Sequence, residues 1–297
     1  MLAAVDIGTN SLRLLYGETQ GETVLPKVYL RETTRLGGGY KKGRGLAPES
    51  IERTLLALGG FTDFLSKNPV RTIRVVATAG LRMAENRDLF LDRVKQTTPF
   101  DVEIVTGAEE ARLAARGVLS ALHPRPRRAL IFDIGGGSCE FLLVDEDRIK
   151  KVLSYPIGVV TLSEAGDYTR SVSRMLNQLR CDLGPALCSL IEDPQTALVG
   201  TAGTVTTLAA LHLAMVDYDW RRVNNLCLDR GAVEAWEHRL LALSVAEREG
   251  LPGMEKGRGD LVPAGVAIIT GLLKLFSKSE LVVSDFGLLE GVLLSLQ

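Results

Sequence analysis

Histidine and cysteine are nearly missing from this chain of 297 residues. Its three histidines, His123, His212 and His238, lie far apart. Its four cysteines, Cys139, Cys181, Cys188 and Cys227, form no Cys-x-x-Cys pair. Structural zinc sites need such ligands at short spacings, so none is expected, and the scattered histidines offer no triad. Reduced thiols in a cytoplasmic protein are the simplest reading. Net charge is missing too, since 35 basic against 36 acidic residues leave −1. No global field draws the chain to nucleic acid or to a membrane, and any polyanion site has to be a local patch. The start combines no basic region with a long apolar one, so no signal peptide is expected. The most apolar stretch, Ala197 to Val216, is interrupted by Gly200, Gly203 and several threonines. It reads as a strand followed by a helix and not as a membrane span. No low-complexity tract occurs.

What is present is an ordinary globular composition, 46% hydrophobic and 24% charged, with length enough for two domains. One stretch organises it: Ile131 to Val144, an apolar run ending in Asp133, then Gly135-Gly136-Gly137-Ser138, then a second apolar run opening with Cys139 and Glu140. This reads as strand, tight turn, strand. Glycines let backbone N–H groups approach a ligand closely, and several aimed into one concavity bind phosphate. Carboxylates on both sides of the turn, Asp133 and Glu140, can hold a divalent cation against that phosphate. The pattern occurs twice. Asp6-Ile7-Gly8-Thr9-Asn10-Ser11-Leu12-Arg13-Leu14-Leu15 aligns without a gap on Asp133 to Leu142, with Asp, Ile, Gly, Ser and the final Leu identical. The first copy offers Arg13 where the second offers Glu140. Each copy opens a three-strand meander followed by helices and further strands. The expectation is an α/β chain of two lobes, 1–123 and 124–285, with the two turns facing each other across a central cleft and the closing helix 286–297 packing back on the first lobe.

Between these landmarks the pattern predicts a strand over Val24 to Arg31, then a mobile glycine-rich basic loop, Arg35 to Gly45, that could fold over a polyanion. A helix from Pro48 to about Leu65 follows, with Pro48 at its first position. A strand over Arg71 to Thr78 leads into Ala79-Gly80-Leu81-Arg82 and a helix to Gln96. After a short strand over Val102 to Val105, Thr106 reads as the N-cap of a helix reaching Leu122, with Glu109 completing a capping box. The Pro/Arg-rich segment His123 to Arg128 marks the boundary of the halves. In the second half, strands are expected over Arg128 to Phe132, Cys139 to Val144 and Arg148 to Tyr155, with Asp145-Glu146-Asp147 as a hairpin turn. Helices are expected after Thr161 and over Ser171 to Leu190, Gly231 to Leu243, Leu261 to Phe276 and Gly287 to Leu296, with a strand over Leu281 to Ser284. The leucine stripes of 231–243 and 261–276 read as core or dimer surface. Trp220 with Arg221 and Arg222 reads as an exposed loop, with base stacking as the alternative.

With these residues in place, the chain resembles the exopolyphosphatase/guanosine pentaphosphate phosphatase (Ppx/GppA) family. Its lobes resemble those of the sugar kinase and actin superfamily, ribonuclease H-like in layout. The segments that carry the resemblance run in order from end to end: Ala4 to Leu14, Ala77 to Arg82, Thr106 to Ala111, Asp133 to Glu140, Gly200 to Thr204, Arg258 to Val262, and Ser284 to Gly291. Three positions depart from the pattern: Thr9 where serine is commoner, Leu289 where arginine is usual, and Asn224 where a histidine often stands. The chain resembles the short members, without the helical HD-type C-terminal region of longer ones. The resemblance implies hydrolysis of a phosphoanhydride, in inorganic polyphosphate or in guanosine pentaphosphate, with Mg²⁺ or another divalent cation. Glu109 and Glu110 alone read as first-turn acids favoured by the helix dipole. The resemblance implies that Glu110 is the general base. It also implies Asp133 and Glu140 as metal ligands, and Arg82 and Arg13 as partners of phosphate oxygens. Backbone N–H groups of Gly8, Thr9, Asn10, Ser11, Gly135, Gly136, Gly137, Ser138, Gly203 and Thr204 would then cradle successive phosphates. A homodimer is an arrangement the family also uses. A non-catalytic polyphosphate or nucleotide sensor and a sugar kinase are the readings from other classes.

Overall fold

The computed structural model describes residues 1–40, 43–146, 148–164 and 168–297, without the side chain of Glu164. Lys41 and Lys42 of the glycine-rich segment, Asp147 of the hairpin turn and residues 165–167 lie outside the described residues. The chain divides into two compact units, Met1–Ser120 with Gly287–Gln297, and Ala121–Phe286.

The first unit opens with a meander of β1 (Leu2–Ile7), β2 (Leu12–Gln20) and β3 (Thr23–Glu32). Then come α1 (Pro48–Lys67), β4 (Thr72–Ala77), α2 (Ala79–Arg82), α3 (Arg87–Thr97), β5 (Val102–Ile104) and α4 (Gly107–Ser120). The sheet order is β3-β2-β1-β4-β5, with β1, β4 and β5 parallel. β1 is buried along its whole length, as a continuous apolar run covered on both faces demands. On one face Val5, Ile7, Leu12 and Leu14 pack with Ile51, Leu55 and Leu58 of α1 and Phe90 and Val94 of α3.

The second unit repeats the plan with β6 (Arg128–Ile134), β7 (Cys139–Asp145) and β8 (Arg148–Tyr155). α5 (Val159–Glu164), α6 (Tyr168–Leu183), α7 (Pro185–Glu192), β9 (Thr196–Thr201), α8 (Ala202–His212), α9 (Trp220–Val223) and β10 (Cys227–Asp229) follow. α10 (Arg230–Ala242), α11 (Val245–Glu249), α12 (Val262–Leu275) and β11 (Glu280–Val283) complete it. Here the order is β10-β11-β9-β6-β7-β8. Phe132, Phe141 and Tyr155 stack across the meander at 6.5 and 5.8 Å between ring centroids. α12 is buried through most of its length within that core, so its apolar stripe is core. Both units are mixed α/β layers, each opening on an antiparallel meander whose first strand continues the sheet in parallel. Ala197 to Val216 forms β9 and α8, and no described helix is long and apolar enough to cross a membrane.

The chain ends with α13 (Leu288–Leu294), which packs on α4 within the first unit. Two glycines make that contact. A Cβ on Gly117 would collide with the backbone of Gly287, and one on Gly291 with the backbone of Leu113. Backbone cannot step aside as a side chain can. Gly291→Ala should therefore destabilise the protein by about 3 kcal/mol, the upper end of ordinary overpacking, read as a shift in the urea midpoint.

Several expectations need correction. The helix over Ser171 to Leu190 is two helices, because Gly184 takes a left-handed φ of 53° and Pro185 starts the next helix. Trp220 stands on α9 and not in an exposed loop. Its ring lies 5.2 Å from that of Phe286, and the Arg221 guanidinium covers it at 4.8 Å, so it is already occupied. In its described part the glycine-rich segment is anchored by hydrogen bonds to its neighbours. Arg35 N–H and Gly37 N–H donate to the carbonyls of Asn10 and Thr9 (2.9 and 2.8 Å). Gly43 N–H donates to Glu85 and Leu46 N–H to Asn86, both at 2.8 Å. The short elements β10, α9 and α11 were not foreseen, since three to five residues carry too little periodicity to read.

Candidate active site

Parallel pairing decides where the chemistry of the first unit gathers. Ile7 lies beside Ala77, and Ala77 beside Ile104. The loops that leave the C-terminal ends of β1, β4 and β5 therefore share one edge of the sheet, where ligand loops of α/β proteins collect. The first of them is closed by Gly8 N–H donating to the Ser11 carbonyl at 3.0 Å, and it exposes Thr9 and Asn10 at its tip. Thr9 is wedged between Gly37 and Gly80, neither of which has room for a Cβ, so it locks the turn to two neighbouring loops. Asp6, 2% exposed, accepts from Arg13 Nε and Nη2 at 3.0 and 2.6 Å. Arg13 is thus tied to a carboxylate of its own turn, although its side chain stays 44% exposed.

The second and third loops supply Arg82 and Glu110. Arg82 Nη1 donates to the Val105 carbonyl at 2.8 Å and to Glu110 Oε2 at 3.0 Å. Both side chains are about one-third exposed, at 32% and 31%. Thr106 caps α4 by accepting from Glu109 N–H at 3.2 Å, as its position predicts. The other half of the capping box is not formed. The Glu109 carboxylate takes Arg112 at 2.8 and 2.9 Å, with Arg74 at 3.6 Å. The Arg112 hydrogen bond holds the Glu109 carboxyl below the usual range. Two adjacent glutamates therefore differ in setting: Glu109 belongs to a surface cluster of arginines, and Glu110 meets Arg82 at the loop edge.

In the second unit β6, β9 and β11 run parallel, with Asp133 beside Thr201 and Gly200 beside Val283. Gly135 N–H closes the turn onto Ser138 O at 2.9 Å. The carbonyls of Gly135 and Gly136 accept from Val159 and Val160 at 3.0 and 2.9 Å, which anchors the turn to α5 and leaves Gly136 and Gly137 exposed. Asp133 and Glu140 are direct cross-strand partners, as Asp6 and Arg13 are in the first unit. Where the first turn carries a matched ion pair, the second carries two carboxylates. Ser154 O–H donates to Glu140 at 3.0 Å. Burial pushes the neighbouring Cys139 thiol up, with Glu140 and Asp133 adding to it. No group of three or more His, Cys, Asp or Glu able to hold a metal occurs among the described residues. Two hard carboxylates with water and ligand oxygens are the donor set of a Mg²⁺ site, so these residues fit that ion.

Gly203 and Thr204 open α8, whose N-terminus has no side-chain cap, because the Thr201 hydroxyl donates instead to the Phe286 carbonyl at 3.1 Å. The first-turn N–H groups of this eleven-residue helix suit an anion. Thr204 is 1% exposed and packs on Gly265, so its backbone is as covered as its side chain and Gly203 is the more open of the two. Sequence reasoning gave Arg258 no role. Its guanidinium lies against Gly203 so closely that a Cβ there would collide with it, and Glu255 pairs with it at 2.5 Å. The signal was the Arg258-Gly259-Asp260 segment, matched but left without a function. Of the departures, Asn224 accepts from Asp285 N–H at 2.6 Å, and Leu289 is a buried residue of α13.

Residues 19–297 match the Ppx/GppA phosphatase family. The chain belongs to that family. It is 33% identical to exopolyphosphatase 2 of Mycobacterium tuberculosis, over 99% of this chain and 98% of that protein. It is 27% identical to a guanosine-5'-triphosphate,3'-diphosphate pyrophosphatase of Aliivibrio fischeri, over 98% of this chain and 58% of that one. The crystal structure of the Aquifex aeolicus Ppx/GppA family member superposes with a TM-score of 0.85 at 29% identity, covering 99% of this chain and 96% of that one. As a Ppx/GppA protein the chain is a phosphoanhydride hydrolase.

Proposed function

We propose that this chain is a Mg²⁺-dependent exopolyphosphatase of the cytoplasm that releases terminal phosphate from inorganic polyphosphate. The observation that carries the reading is the Arg82–Glu110 pair, set on the same sheet edge as the Gly8–Ser11 turn. The full-length similarity to an exopolyphosphatase supports polyphosphate as substrate. The similarity to guanosine-5'-triphosphate,3'-diphosphate pyrophosphatases favours guanosine pentaphosphate as the second reading.

Hydrolysing a phosphoanhydride takes alignment, charge neutralisation and an activated water. Glu110 orients that water and takes its proton. Arg82 fixes the Glu110 carboxylate and meets phosphate oxygens with its remaining donors. Gly8 and Gly135 N–H close their own turns, so the backbone N–H groups of Thr9 to Ser11, of Gly136 to Ser138 and of Gly203 are the ones left to bind phosphate, with Arg13 and Arg258 beside two of these turns. Asp133 and Glu140 would hold Mg²⁺, which would supply charge neutralisation to the substrate.

Phosphate release measured in parallel from polyphosphate, guanosine pentaphosphate and ATP, with Mg²⁺ and with EDTA, tests this reading. Polyphosphate should be the fastest substrate, and chelation should stop its hydrolysis. Preference for pentaphosphate supports the second reading. Binding without turnover would make the chain a sensor, and turnover of ATP alone would make it a nucleotidase or kinase.

A further inference from the structure

Arg35 has a setting that neither the fold nor the mechanism above uses. Its backbone is left-handed, with φ of 47°. For a residue with a Cβ that conformation costs about 1 kcal/mol, and glycine adopts it freely. Glycines stand at positions 37, 38 and 39, yet position 35 holds an arginine. Both neighbours are anchored. Thr34 is buried, and its carbonyl accepts from Arg53 Nε at 3.0 Å. Leu36 is fully buried in the core of the first unit. Arg35 N–H donates to the Asn10 carbonyl at 2.9 Å, and Gly37 N–H to Thr9 at 2.8 Å. The strained residue is therefore fixed against the tip of the Gly8–Ser11 turn, and its side chain is exposed.

Charge completes the argument. Arg13 is matched by Asp6, and Arg82 by Glu110. Arg35 forms no ion pair or side-chain hydrogen bond among the described residues, so its positive charge is uncompensated beside the turn. Strain accepted at an exposed residue whose guanidinium makes no ion pair or hydrogen bond among the described residues points to a contact outside the protein.

We propose that Arg35 contacts substrate, binding phosphoryl oxygens of a phosphate adjacent to those held by the Gly8–Ser11 turn, so that it favours extended polyphosphate chains. This rests on the polyanion reading of that turn. The test compares Arg35 with Arg35→Gly in a Glu110→Gln background that arrests turnover. Affinity for long-chain polyphosphate is measured by calorimetry with Mg²⁺ present, and thermal stability is measured alongside. Glycine relieves the left-handed conformation, so the midpoint should hold or rise while affinity falls roughly tenfold, the value of one charge-assisted contact. Arg35→Lys should restore part of the loss. Arg35→Asn, which tolerates the same conformation, repeats the test if the glycine variant folds poorly. Equal affinity in the arginine and glycine proteins overturns the proposal alone. So does a midpoint that drops several degrees with affinity unchanged. A background protein that binds no polyphosphate at all overturns both this proposal and the functional reading beneath it.

Discussion

Glu110→Gln should lower kcat for phosphate release roughly a thousandfold, within the span expected for loss of a general base, with KM little changed. The substitution is nearly isosteric. Its amide oxygen can still accept from Arg82, so the contact at 3.0 Å and the start of α4 should survive, and far-UV circular dichroism and the melting midpoint should stay close to the parent. What disappears is the capacity to take a proton from water. A variant that keeps full hydrolysis would remove Glu110 from the mechanism.

Glu109→Gln is the control that gives this result its meaning. The two glutamates are adjacent, both lie in the first turn of α4, and both satisfy the helix dipole equally. Their partners separate them. Glu109 is held by Arg112, whereas Glu110 meets Arg82 and the loop that follows β4. If helix-dipole stabilisation were the purpose of these acids, the two variants would lose similar small amounts of stability and keep activity. If Glu110 is the base, only its variant loses turnover, and Glu109→Gln loses at most the modest value of a half-exposed ion pair.

The repeated Asp-Ile-Gly-x-x-Ser motif made the two meanders legible, because short apolar runs on each side of a glycine turn admit few other structures. The strands after each meander were legible as short apolar runs bounded by turn residues, whereas their parallel pairing depends on partners far along the chain. What stayed hidden depended on distant partners. Nothing local shows that Asp6 takes up Arg13, since the ion pair requires the register of β1 on β2. The burial of Thr204 comes from Gly265, some sixty residues on, and the placement of Arg258 over Gly203 from a loop equally remote. The break at Gly184-Pro185 was local and readable, but the surrounding apolar period masked it. Arg35 looked like one cation in a solvated connector, and only its backbone hydrogen bonds to the turn distinguish it.

Glu140→Arg should separate the two turns' roles most sharply. At the register position where the first unit opposes Asp6 with Arg13, the second opposes Asp133 with Glu140. Like charges directly opposite on a sheet are destabilising, and opposite charges stabilising, each by up to about 1 kcal/mol. The carboxylate pair is therefore a cost to the fold that a bound cation can offset. Glu140→Arg rebuilds the first unit's arrangement in the second. Stability without metal should rise by about 1 kcal/mol, and Mg²⁺ should no longer shift the melting midpoint. Hydrolysis should fall at least roughly a hundredfold, since a cation at a phosphoryl oxygen is worth several kcal/mol to the transition state. Asp133→Asn should lose activity similarly, but with part of it recovered at high Mg²⁺, because one carboxylate remains. Stability and activity moving in opposite directions is the outcome that a structural role for the pair does not predict. An arginine variant that retained Mg²⁺-dependent turnover would move the metal site elsewhere.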